Sequence, residues 1–245
     1  MKHWQALLLK KIPYEKLLDH FPEVGRVKFE CISRIYRALS APLNLLPENG
    51  PHYLNLGAGD SKTQNPGFIN IDFFGSGCDY EADLRYPLAI PSNTVSGIFS
   101  EHCLEHLSYA EVANLLAECY RIATPGCRIR LSVPDFSLFA NNYAAGNDEW
   151  FKLWESRIFI NSEDPLRRQR RLQSNMGSLS FIAQEYGHVS LWDFTTMQKA
   201  LLKAGFSDIV KCRFNTGKDV RLLVNDASPA RTEYSLYVEA EKQQI

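Results

Sequence analysis

Short apolar runs separated by turn signals dominate the middle of the chain. Tyr53-Leu54-Asn55-Leu56 is followed by Phe68-Ile69-Asn70-Ile71-Asp72, then by residues 95–100, then by residues 128–133. Each run has the length and the flanking Gly, Pro or Asn of a strand. Between the last two the period changes to that of a helix. Val112, Leu115, Leu116, Cys119 and Tyr120 fall on one face, and Ser108 with Glu111 forms a capping box that satisfies free N–H groups of the first turn. Pro125-Gly126 is the expected stop. Strand, helix and strand make a βαβ unit, which implies a parallel sheet.

The pattern differs on either side. Residues 1–50 read as a helical preface, with Trp4, Leu7, Leu8 and Ile12 and then Ile32, Ile35, Tyr36 and Leu39 near helical spacing. Pro42, Pro47 and Asn49-Gly50-Pro51 end it. The main domain spans 51–245. About residues 136–192 the rhythm breaks. Trp150, Phe151 and Trp154 precede the basic run at 167–171, and Gly177, Gly187 and His188 follow. This stretch reads as a helical insertion over one edge of the sheet. The core pattern resumes with a capping box at Thr195 and Gln198, inward-facing Leu201 and Leu202, and Gly205 as C-terminal cap. Runs near 209–214 and 233–240 predict two last strands. Asn225-Asp226 and Pro229 make the connection a loop, hence an antiparallel closing pair. The predicted fold class is α/β: a Rossmann-like, doubly wound, mostly parallel sheet with an antiparallel closing strand.

Composition narrows the setting. The 245 residues carry a formal net charge of -1, so there is no long-range attraction for nucleic acid. The six cysteines are scattered and form no Cys-x-x-Cys pair, which fits free thiols. Lys10 and Lys11 interrupt the apolar residues 6–9 and no small-residue cleavage site follows, so no signal peptide is expected. No apolar stretch approaches the roughly 18 residues of a membrane span. The expected location is cytoplasmic.

Candidate chemistry begins at the end of the first strand. Gly57-Ala58-Gly59 lies where ligands bind in open α/β sheets, and glycines there admit close backbone approach. Asp72 ends the second strand, where a carboxylate can accept from both hydroxyls of an adenosine ribose. Asp83-Leu84 follows, where an Asp can receive the adenine amino group. A nicotinamide or flavin dinucleotide is the alternative ligand. Against it, Lys62 stands where the fingerprint wants a third Gly. Residues 60–67 are also short for a crossover helix whose N-terminus would hold a pyrophosphate.

Several motifs occur together and in order: Leu54-Asn55-Leu56-Gly57-Ala58-Gly59, Asn70-Ile71-Asp72, Asp83-Leu84-Arg85 with Pro87-Leu88, and His102-Cys103-Leu104-Glu105-His106-Leu107. Glu118-Cys119-Tyr120-Arg121-Ile122 and Pro125-Gly126 follow them. As a set they resemble the small bacterial class I S-adenosylmethionine-dependent methyltransferases over roughly residues 52–135, and more weakly over 188–240. The resemblance implies that S-adenosyl-L-methionine is the cofactor. Gly57, Ala58 and Gly59 would pass beneath its amino-acid end, Asp72 would bind the ribose, and Asp83 and Leu84 would border the adenine. Ser100, Glu101 and His102 would line the edge where the sulfonium meets the acceptor. The family often has an acidic residue where Asn55 stands and a Gly where Ser61 stands. Asn55 would meet the cofactor's ammonium through its amide, without charge.

Methyl transfer needs a base only if the acceptor must lose a proton. Candidates are His102, Glu105, His106 and His188. His102, nearest the strand end, and His188, where the insertion rejoins the core, are the expected catalytic residues. Glu105 and His106 are expected to orient the loop. His102 and His106 would share a helical face, but the motif is not His-Glu-x-x-His and no third ligand is evident, so no metal is expected. Ser100-Glu101-His102 replaces the Asp/Asn-Pro-Pro-Tyr pattern tied to methylation of nucleic-acid amines, which disfavours that substrate. The expected acceptor is a small molecule or a sugar- or lipid-linked metabolite. Two alternatives remain: a methyltransferase-like scaffold without catalysis, and an RNA methyltransferase using Arg167, Arg168, Arg170 and Arg171.

Overall fold

The apolar runs assemble as one seven-stranded sheet in a computed structural model that describes residue 27, residues 30–35, residue 37, and residues 52–59, 65–73, 78–158, 174–184, 187–225 and 227–243. Most of the 1–50 preface lies outside the described residues, and residues 30–35 within it are helical. Asp60, Ser61, Lys62, Asp226 and the arginine run at 167–171 also lie outside them.

The strands are β1 (His52–Leu56), β2 (Ile69–Asp72), β3 (Tyr80–Glu81), β4 (Val95–Glu101), β5 (Ala123–Pro134), β6 (Ser207–Cys212) and β7 (Ser235–Glu241). Their order across the sheet is β3-β2-β1-β4-β5-β7-β6. The first five pair in parallel, whereas β7 runs antiparallel to both β5 and β6. The doubly wound, mostly parallel sheet and its antiparallel closing strand are as the sequence predicts. The chain builds outward from β1 to β3 and then returns to β4 on the other side of β1. The switch point between β1 and β4 is where such sheets open a crevice for ligands.

Alternation of side chains sorts the strands into two faces. Leu54, Leu56, Ile98, Ile129, Leu131, Leu236 and Val238 point into the main core. They meet α1 (Tyr109–Ile122), which buries Val112, Leu115, Leu116, Cys119 and Ile122. The Ser108–Glu111 capping box is present in both directions. The helix ends at Ile122, because Ala123 is already extended and pairs with Val95. Pro125-Gly126 therefore lies within β5 and is not the helix stop. The opposite face carries a smaller cluster of Tyr53, Phe99 and Leu222.

The insertion contains α2 (Phe136–Ala144), α3 (Asp148–Ile158) and α4 (Asn175–Gln184). These helices enclose a second core of Phe139, Phe151, Trp154 and Phe181, with Tyr234 from α6 (Pro229–Tyr234). The next core helix is α5 (Phe194–Ala204), and its N-cap is Asp193, whose side chain accepts from the Thr196 N–H. An Asp one position before the helix outcompetes the predicted Thr195–Gln198 box because its carboxylate reaches the free donor first. Leu201 is buried, but Leu202 is exposed. One face of a helix cannot hold both neighbours. Gly205 closes the helix at φ 103. The connection from β6 to β7 holds a short turn at Val220–Leu222 and α6, so it is a structured segment and not a plain loop.

Candidate active site

The C-terminal edges of β1, β2 and β4 bring the expected cofactor residues together. Gly57 leaves β1 at φ 72 and Gly59 has φ 75. Both Gly57 and Ala58 donate their N–H to the Ile71 carbonyl, at 2.9 and 3.1 Å. A Cβ at Gly57 would stand 2.4 Å from Cys103 Cβ and Sγ. The position thus requires glycine both for its left-handed backbone and for the side chain packed against it. Asp72 turns its carboxylate onto this loop and accepts from the N–H groups of Gly59 and Phe73.

Other expected cofactor residues have protein partners. Asn55 is buried, and its amide nitrogen donates to Asn70 Oδ1 at 2.9 Å. Asn70 in turn donates to Asp79 Oδ2 at 2.8 Å. Asp83 is buried and forked by Arg85, with Nε 2.9 Å from Oδ1 and Nη2 2.7 Å from Oδ2. It also accepts from Ser33 Oγ. Burial acts to raise the Asp83 carboxyl, but the Arg85 and Ser33 hydrogen bonds outweigh it and hold the group below its usual range. Leu84 belongs to the main core. Ser100 is fully buried, with Oγ donating to the Leu56 carbonyl at 2.9 Å. Glu101 Oε1 accepts from Asn225 Nδ2 at 2.8 Å.

The residues after β4 form a second cluster. His102 has φ 49, a left-handed conformation that costs a non-glycine residue about 1–3 kcal/mol. Contacts on both sides of its ring hold it there. Nε2 lies 2.7 Å from Ser235 Oγ, and Nδ1 lies 3.1 Å from Glu105 Oε1. Burial pushes this imidazole below its ordinary value, and Glu105 pulls the other way. His102 precedes a short 3-10 turn, Leu104–His106, so it does not share a helical face with His106. Instead His106 stacks edge to face on His188, with ring centroids 5.0 Å apart. His188 Nδ1 is 2.7 Å from the Ile182 carbonyl, and its Nε2 is 4.0 Å from Glu105 Oε1.

Glu105 therefore sits between three histidines. Its side chain is 2% exposed, and among the described residues neither carboxylate oxygen has a hydrogen bond of good geometry. Burial acts to raise this carboxyl, yet His102 and His106 outweigh it and leave it lowered. Its main-chain carbonyl accepts from Val189 and Ser190, which ties the turn to the insertion. The loop-orienting part expected of Glu105 thus falls to its backbone. Cys103, beneath the glycine loop, is pushed up to about 12 by burial, so its thiol is inert. Glu105 and His188 also line a cleft with Pro134, Phe136, Ser190, Leu191 and Trp192.

Two participants had no sequence signal. Ser235 opens β7, Asn225 lies in the β6–β7 connection, and each meets its partner across more than half the chain. Glu105 is a candidate from the sequence, but its burial among three histidines is a tertiary property.

No protein-family model matches the chain, and no curated protein matches it. Solved structures do. An S-adenosylmethionine-dependent methyltransferase from Archaeoglobus fulgidus is 13% identical, with 87% of this chain and 94% of that chain covered and a TM-score of 0.43. One from Mesorhizobium loti is 16% identical, with 80% and 94% covered and a TM-score of 0.42. A methyltransferase from Thermotoga maritima, described as a possible histamine N-methyltransferase, is 12% identical, with 93% and 99% covered and a TM-score of 0.46. The seven-stranded sheet in the order β3-β2-β1-β4-β5-β7-β6, with β7 reversed, gives this chain a Rossmann-like fold, as the sequence predicts.

Proposed function

We propose that this chain transfers a methyl group from S-adenosylmethionine to a small-molecule or sugar- or lipid-linked acceptor. The observation that carries the reading is the Asp72 carboxylate turned onto the Gly57–Gly59 backbone at the switch point of the sheet. Asp72 would hold the ribose hydroxyls, and the glycine loop would pass under the amino-acid end. The cofactor supplies an activated methyl on a sulfonium. The chain's own residues then have to place an acceptor in line with it.

One observation favours a second reading, a methyltransferase-like protein without catalysis. Asn55 and Asp83, two of the expected cofactor contacts, are engaged by Asn70 and Arg85. Calorimetry with S-adenosylmethionine separates the two. The methyltransferase reading expects micromolar binding, about -8 kcal/mol, that falls at least tenfold in Asp72→Ala. Absence of binding at millimolar cofactor would sink it and leave the scaffold reading.

A further inference from the structure

We propose that Glu105, His106 and His188 form a binding site for one divalent transition-metal ion where the 3-10 turn meets the insertion. Each side chain offers a ligand atom, and these atoms all lie within 4.8 Å of one another. Tetrahedral ligands about 2 Å from an ion stand roughly 3.3 Å apart. Modest rotations of the side chains close the difference.

Two further observations point to a cation. The first is the Glu105 carboxylate, which is buried and has no hydrogen bond of good geometry on either oxygen among the described residues; its near partner is His102, with Nδ1 3.1 Å from Oε1. An ionised carboxylate in that state is expensive unless a positive charge meets it. The second is the tautomer of His188. The Ile182 carbonyl can only accept, so Nδ1 carries the proton. The lone pair is then on Nε2, which faces Glu105. A ligating histidine whose other nitrogen donates to a backbone carbonyl is the usual outer support of a metal site.

The chain also holds these groups as a unit. Val189 and Ser190 donate to the Glu105 carbonyl, so the 3-10 turn and the insertion cannot separate without losing both bonds. Two imidazoles and one carboxylate suit a borderline ion such as Zn2+, Co2+ or Fe2+. Ca2+ and Mg2+ want more oxygen ligands. Three protein ligands leave a position open, and here it would face the cleft. Resting on the methyltransferase reading, that position would bind a hydroxyl or carboxylate oxygen of the acceptor and ease loss of a hydroxyl proton.

The test uses the whole protein, stripped with a chelator, with thiols reduced and no S-adenosylmethionine, so its result is independent of the cofactor reading. Titration with Zn2+ is expected to show one site of micromolar affinity or better. Co2+ is expected to give d–d bands without a thiolate charge-transfer band. Glu105→Gln and His188→Ala should each weaken binding on the order of 100-fold. His106 is exposed, so His106→Gln reads the same loss in a variant whose folding is not at risk. No binding at about 100 μM Zn2+ overturns the proposal. So does binding that survives His106→Gln unchanged, or Co2+ spectra that report thiolate.

Discussion

Asp83 shows how one residue type can carry two meanings. From the sequence its carboxylate could meet an adenine amino group. In the fold Arg85 forks it, and Glu30 receives the other end of Arg85. Replacing one charged oxygen by an amide nitrogen in Asp83→Asn should cost about 1.5–3 kcal/mol at neutral pH, the range for hydrogen bonds to a charged group. The pH dependence has a definite sign. A carboxyl held low in the folded state stabilises above its unfolded value of about 3.9, and that stabilisation is lost as pH falls through the lower folded value. Urea melts of the wild type should therefore lose stability from about pH 5 downward, and Asp83→Asn should show a flatter acid limb. Parallel limbs would mean that Arg85 does not hold this carboxyl. The charges facing the pair are Glu30 and, 3.9 Å from Arg85, Glu111. The comparison with the variant isolates Asp83 from them. The place of Asp72 at the end of β2, by contrast, is legible, because it is a topological position and strands are read from alternation.

At the scale of elements, the strands of the central sheet were readable because their residues are buried on both faces and form near-continuous apolar runs. The two-residue β3 carries no such run. The β6–β7 connection was read as a loop because its stabilising contacts are polar and distant. Arg130 of β5 and Glu239 of β7 are both fully buried, 2.9 Å apart on the sheet face that this connection covers. Arg130 also donates to Asn225 Oδ1 and to the carbonyls of Thr216 and Arg213, and Lys218 N–H donates to Glu239. One ion pair thus gathers the connection and, through Asn225, reaches Glu101 at the end of β4. Removing one charge strands the other, so Glu239→Gln should cost about 3–5 kcal/mol. Replacing both in Arg130→Met/Glu239→Leu should recover much of that loss, because neither charge then remains buried. Denaturant melts of Arg130→Met, Glu239→Leu and the double form the cycle. Additive losses would show that the pair is not the clamp.

The molecule as a whole has two cores with different duties. The main core lies between the sheet and α1 and α5, and it positions the glycine loop and Asp72. The second core sits among α2, α3, α4 and α6 and supports the segment that delivers His188 to Glu105. The composition of the insertion, with its three aromatics in residues 150–154, signals a helical insertion over one edge of the sheet. It could not announce where His188 would land, since that depends on how the second core rests against the edge of the sheet. Cores joined by few contacts open separately, which can be measured. Trp154 is 1% exposed and packs on Phe139 and Phe181. Trp154→Ala should leave a cavity costing about 3–5 kcal/mol. If the second core is its own cooperative unit, native-state hydrogen exchange should quicken in α2, α3 and α4 while β1, β4 and β5 keep their protection. S-adenosylmethionine affinity should then change little, because Asp72 and the glycine loop belong to the other core. Equal loss of protection in β4 and β5 would mean one cooperative unit, and the cap would then be part of what holds the cofactor edge together.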